Sequence, residues 1–153
     1  MPEKFPRSPY DAIDGLVYFL RMLDKIRINA ESALPKGYAE HLGDGFDGRC
    51  LRFLGVKYEE VKQRVLAGEK DEAIFAWARA NGRKPTDEDI EVWSGFMIKR
   101  GWRDEASERV TFRIKEGGFE ARAKEIVTMF DFIDVDEGRT PPDFKKWELP
   151  RIS

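Results

Sequence analysis

The sequence is poor in the residues on which most metal sites and acid–base enzymes rely. Its 153 residues include one cysteine, Cys50, and one histidine, His41. A single thiol excludes an intrachain disulfide and an all-thiolate zinc site. A single imidazole excludes paired-histidine metal motifs and a two-histidine facial triad. A Cys50–His41 nucleophile pair is arithmetically open. The two lie across a glycine-rich stretch with no supporting signature, so a small buried cysteine and a surface histidine are the expected reading.

Long apolar runs are missing too. The longest, Leu16–Leu20, falls far short of the ~20 residues a membrane span needs. The opening stretch MPEKFPRSPYDAIDG is charged and proline-containing, with no apolar leader segment. The expectation is a soluble, cytoplasmic protein with no membrane partner. Charge of one sign is also lacking: 27 Lys+Arg stand against 29 Asp+Glu, a net charge of −2. That balance argues against a protein that coats nucleic acid or an anionic membrane. What is present suits a globular core, with 41% hydrophobic and 37% charged residues. One domain is expected over residues 1–140, followed by an extended tail over 141–153.

The chain reads as helices separated by glycine stops, with no sustained period-two alternation. This predicts an all-α fold of six to seven short helices. Ser8-Pro9-Tyr10-Asp11 looks like a helix start, and the apolar pattern continues to about Ala30. Asp11, Asp14, Tyr18, Arg21 and Lys25 form its polar stripe. Its apolar arc is wide, which predicts a central helix. Residues 31–47, with Pro35, Gly37, Gly43 and Gly45, read as a loop with at most one helical turn. Asp47 can cap a short helix that Gly55 closes. Helices follow over Tyr58–Ala67 and Asp71–Ala80. Thr86-Asp87-Glu88-Asp89 forms a capping box for the next, which stops at Lys99-Arg100-Gly101-Trp102 with Trp102 as the apolar contact after the glycine. A helix from about Asp104 to Glu116 precedes a last one carrying Phe119, Ala123, Ile126, Phe130 and Ile133 on one stripe. Pro141-Pro142 forbids its continuation.

Five groups could carry function. Asp24 and Arg27 point toward the apolar sector of the first helix. They suit an anion-binding arginine with an orienting carboxylate, or an i,i+3 structural pair. The Gly43–Arg49 loop could offer backbone N–H groups to a phosphate, with Arg49 and Arg52 adding charge. It lacks the Gly-Lys-Ser/Thr of a P-loop, and Asp44 and Asp47 oppose an anion unless they hold a cation; a tight connection closed by an Asp cap is the preferred reading. Arg100, Trp102 and Arg103 could stack and pair with a nucleotide or single strand, although a helix stop accounts for each. Asp131, Asp134, Asp136 and Glu137 crowd one helix end. Asp131 and Asp134 are weak candidates for a divalent pair, the EF-hand spacing does not fit, and an arginine such as Arg139 is the more natural partner. The tail's Phe144, Trp147 and Leu149 should dock on the domain itself or, second, on another subunit as a homodimer.

The strings PRSPYDAIDGLVYFLRMLDKIR, GFDGRCLRFLGV and EVWSGFMIKRGWRDEAS carry a resemblance. With them the chain resembles a family of small bacterial proteins classed as a domain of unknown function, from Pro6 to about Arg139. The resemblance implies a bacterial, soluble, single-domain protein. It brings no activity, catalytic residue or cofactor.

The expected function is a non-catalytic binding or interaction domain for a small anionic ligand or a protein partner. Asp24, Arg27, Asp47, Arg49, Arg100, Trp102 and Arg103 are its candidate residues, and no cofactor is expected. The alternative is a carboxylate- and arginine-based enzyme, with or without a divalent metal, drawing on Asp24, Asp44, Asp47 and Asp134. Weak nucleic-acid binding comes third.

Overall fold

A computed structural model of the chain describes residues 2–143. The tail aromatics Phe144 and Trp147, with Leu149, lie outside the described residues. The all-α class is the observed one. Among the described residues there are seven α-helices, two short 3₁₀ segments and one hairpin of two two-residue strands. The chain divides into two compact units, one ending at Ile98 and one beginning at Lys99.

The first unit opens differently from the helix start expected at Ser8. Ser8 makes a local turn instead, its hydroxyl accepting from Tyr10 N–H at 3.2 Å and its carbonyl from Asp11 N–H at 3.0 Å. Strands β1 (Ala12–Ile13) and β2 (Leu16–Val17) then pair antiparallel, Ala12 opposite Val17 and Ile13 opposite Leu16. The loop between them is Asp14-Gly15, with φ of 46° and 85°. Positive φ at both positions is what a two-residue hairpin demands, and Asp-Gly supplies it most readily. Helix α1 therefore begins late and covers Phe19–Ala30.

Helix α1 is buried on more than one side, as a central helix should be. Phe19, Met22, Leu23 and Ile26 face the core. The Phe19 ring meets Phe75 edge-on at 5.6 Å between centroids. A 3₁₀ turn at Ala39–His41 precedes α2 (Phe46–Leu54), α3 (Tyr58–Leu66), α4 (Asp71–Ala80) and α5 (Asp87–Lys99). Leu54, Val61, Ile74, Ala78 and Ile90 complete the core. Gly55 closes α2 in the left-handed conformation, as expected. The Thr86 capping box also forms: its hydroxyl accepts from Asp89 N–H, and the Asp89 carboxylate accepts from Thr86 N–H. Ser94 of α5 ties the hairpin down, donating to the Gly15 carbonyl at 2.7 Å and accepting from Val17 N–H at 3.2 Å.

The second unit holds α6 (Ser107–Gly117), a 3₁₀ segment (Glu120–Glu125) and α7 (Met129–Asp136). Gly101 ends α5 with φ of 104°. A Cβ there would lie 2.6 Å from Val110 Cγ2 and 3.1 Å from Met129 N, so only glycine fits this approach. Trp102, expected as the apolar contact after the glycine, is not buried. It is 49% exposed. Helix α6 starts after Asp104, whose carboxylate accepts from Gly101 and Ala106 N–H groups. The single last helix expected over Phe119–Ile133 is instead two elements. Thr128 restarts the chain with a full capping box to Asp131, and α7 follows. Val110, Ile126 and Val135 form the core of this unit.

Candidate functional site

The polar stripe expected on the first helix divides: Asp11 and Asp14 lie exposed ahead of α1, and the rest of it does not face water. Tyr18, Arg21 and Lys25 are all buried. They turn inward because the apolar arc of α1 is too wide to leave a dry side and a wet side. Asp47, fully buried in the first turn of α2, answers them. One of its oxygens accepts from Tyr18 Oη at 2.7 Å and from Lys25 Nζ at 3.0 Å. The other accepts from Gly43 N–H at 3.0 Å. Asp47 is thus not the helix cap the sequence implies; Gly45 precedes the helix, and Asp47 ties the loop to α1 from within. A buried carboxylate without such donors would cost several kcal/mol.

Tyr18 holds this arrangement at a backbone cost, with φ of 73°. Burial, reinforced by the Asp47 charge, pushes its hydroxyl well above the ordinary tyrosine value. Tyr18 therefore stays a neutral donor to Asp47. The Cys50 thiol is also pushed up, first by burial and then by Asp47, which makes it a poor nucleophile. His41 sits exposed on its 3₁₀ turn. A buried cysteine and a surface histidine are what the sequence suggested.

Asp24 and Arg27 belong to a second constellation, with two members the sequence reading missed. Asp24 accepts from Arg7 N–H, Nε and Nη2 at 2.8–2.9 Å and from Arg27 Nη1 at 3.3 Å. Asp71, at the start of α4, accepts from Arg7 Nη2 at 2.8 Å and from Arg27 Nη2. Two arginines and two aspartates thereby join the N-terminal segment, α1 and α4. Hydrogen bonds donated to Asp24 raise the Arg7 guanidinium further above its ordinary range. Burial alone would push the Asp71 carboxyl up, but Arg7 and Arg27 outweigh it and hold the group below its usual value. The formal charges sum to zero, and the oxygens of both acids are occupied.

Arg49 stands apart. It leaves the outer face of α2, and its guanidinium carbon lies 5.5 Å from the ring centroid of Phe96 on α5. One turn on, Phe53 stacks on Trp93 at 5.0 Å with 16° between planes. Pairing 49 with 96 and 53 with 93 runs α2 and α5 antiparallel along this face. Arg52 shares the face. A Cβ on Gly48 would come 3.0 Å from its Nη1, so the missing side chain lets this guanidinium fold back along α2. Arg83 Nη1 donates to the Arg52 carbonyl at 3.3 Å, and its charge helps to lower the Asp89 carboxyl. Among the described residues, neither Arg49 nor Arg52 has a carboxylate within ion-pair distance.

The remaining candidates lie in the second unit. Arg100 pairs with Asp104 at 3.4 Å and with Glu105 at 3.2 Å. Arg103 lies 5.7 Å from the exposed Trp102 ring, on a backbone with φ of 53°. Asp131 accepts from the backbone N–H groups of Val127 and Thr128. Arg139, the partner suggested for the crowded helix end, reaches Asp134 at 3.3 Å and Glu137 at 2.6 Å. No group of three or more metal-ligating side chains gathers among the described residues. None of their helices is long and apolar enough to cross a membrane.

No curated protein matches the chain. A family match does exist and spans residues 3–139, nearly the whole sequence. It includes the hairpin, every helix described above and the outer face of α2. The chain belongs to the family described as a domain of unknown function, DUF5069.

Proposed function

We propose that the chain is a non-catalytic binding domain for a small anionic ligand, held by Arg49 and Arg52 on the outer face of α2. One contrast supports this reading. Arg7, Arg27, Arg64 and Arg79 of the same unit each meet a carboxylate. Arg49 and Arg52 meet none among the described residues, although they sit three apart on one helix. Like charges at that spacing repel by a few tenths of a kcal/mol, and an anion between them would reverse the sign. Of the four aspartates available to an enzyme, three are already engaged: Asp24 by two arginines, Asp47 by Tyr18, Lys25 and the Gly43 backbone, and Asp134 by Arg139, while Asp44 lies exposed on its loop. That engagement favours binding over carboxylate catalysis.

The test is thermal unfolding with inorganic phosphate and with phosphorylated sugars. A ligand at a hundredfold excess over its Kd should stabilise the fold by about 2.7 kcal/mol. The stabilisation should vanish in the double variant Arg49→Ala/Arg52→Ala. Equal stabilisation of the variant, or none of the wild type, would count against the reading.

A further inference from the structure

The outer face of α2 carries more than charge. Beside Arg49, α5 turns Phe96 and Val92 outward, 44% and 68% exposed and one helical turn apart. The opposite side of α5 already buries Ile90, Ser94 and Met97 in the core, so the helix is apolar on both sides. Trp93 stacked on Phe53 continues the same surface. An anion alone has no use for an aromatic shelf, and an apolar ligand alone has no use for two arginines that have no acid partner among the described residues.

We propose that the ligand is a nucleoside phosphate, with its base on the Phe96–Val92 shelf and its phosphate between Arg49 and Arg52. The inference rests on the anion-binding reading above and names its ligand class. A flat base fits because every base presents a π-face, and stacking tolerates base identity. The guanidinium of Arg49 is placed to serve twice: its carbon lies 5.5 Å from the Phe96 ring centroid, and its N–H fork suits phosphate oxygens. Arg52, folded back over Gly48, brings a second fork along the same helix. Ligand binding here requires no reaction step and no bound metal.

Titration calorimetry with adenosine 5′-monophosphate, ribose 5-phosphate and adenosine separates the two claims. Adenosine 5′-monophosphate should bind about tenfold or more tighter than ribose 5-phosphate, the factor expected of one stacked base. Phe96→Ala should erase that difference. Because the Phe96 ring is half in water, the variant should fold, as its unfolding midpoint would show. Arg49→Ala/Arg52→Ala should weaken both phosphates alike. If the two phosphates bind the wild type equally, the nucleoside inference fails while anion binding stands. If the preference survives Phe96→Ala, the shelf is not the base site and the inference fails. If neither phosphate binds, both claims fall together.

Discussion

The two faces of α2 treat charge in opposite ways. The inner face carries Asp47, a carboxylate with no exposure and three donors aimed at it. The outer face carries Arg49 and Arg52, two cations with water, a ring and no acid among the described residues. Burial explains the first: a desolvated charge must be paired, or the fold does not form around it. Burial cannot explain the second, because an exposed arginine is solvated whether or not it is paired. What makes the outer face informative is the contrast with Arg7, Arg27, Arg64 and Arg79 of the same unit, which do find acids, although the exposed Arg83 beside Arg52 meets a carbonyl instead. A nine-residue helix thus divides structure from recognition by its two sides.

The largest effect should come from breaking the inner face. Asp47→Ala strands the Lys25 ammonium in the interior and removes the acceptor for Tyr18 and Gly43. A loss of about 3–5 kcal/mol is expected, read from equilibrium urea unfolding. The double variant Asp47→Leu/Lys25→Met should recover much of it, because neither half of the pair is then left alone. A loss below about 1 kcal/mol in Asp47→Ala would mean that water reaches Lys25 and that the inner face is not closed. Cys50 gives an independent view of the same region. Its buried, upshifted thiol should resist iodoacetamide in the native protein and react only as fast as the unit opens. In Asp47→Ala that rate should rise with the lost stability.

Helix stops and most helix bodies were legible in the sequence because glycine and capping residues act locally. Gly55 and the Thr86–Asp89 box work through φ and one short hydrogen bond, and both appear as read. Other local signals were present but outweighed. Asp14-Gly15 is a strong hairpin signal, yet the helical apolar period from Ile13 onward concealed it. Thr128 and Asp131 repeat the capping spacing of Thr86 and Asp89, hidden inside a stripe that continues across the break. The charged sites were harder. The wide apolar arc of α1 left open which polar residues it would bury. The stripe of Tyr18, Arg21 and Lys25 went inward, while Asp24 and Arg27 stayed partly in water. Arg7 and Asp71 lie far from Asp24 in sequence and are joined to it only by folding. Arg49 was readable as a candidate. Its ring partner on α5 was not, since no local pattern links residues so far apart.

An intermediate effect should come from the Arg7–Asp24–Arg27–Asp71 group, which is buried less than Asp47 and screened more. Asp71→Asn should cost about 1 kcal/mol at neutral pH, since each arginine keeps roughly a third of its side chain in water. The pH dependence has a definite sign. Folding lowers the Asp71 pKa below its ordinary 3.8, so its contribution is complete above that value and is lost as pH falls through the lower, folded one. The stability gap between wild type and Asp71→Asn should therefore be constant from neutral pH to about pH 5 and close below pH 4. A gap that widened in acid would contradict the network as the cause.

The smallest stability effect belongs to the outer face, and its smallness is what makes it diagnostic. Arg49→Ala removes a half-exposed side chain that, among the described residues, meets one ring and no carboxylate. The cation–π contact at such a site contributes about 0.5–1 kcal/mol, and relief of the repulsion from Arg52 offsets part of it. Urea unfolding of Arg49→Ala should therefore stay within about 0.5 kcal/mol of wild type. Under the same conditions phosphate-dependent stabilisation should fall sharply. A purely structural arginine would show the reverse, a clear loss of stability with no change in the response to phosphate. Asp47→Ala supplies the control: it should lower stability strongly, and the folded fraction that remains should still respond to phosphate. If instead the two variants lose stability and ligand response in the same proportion, α2 has one role and not two. The distinction between its faces would then be one of burial alone.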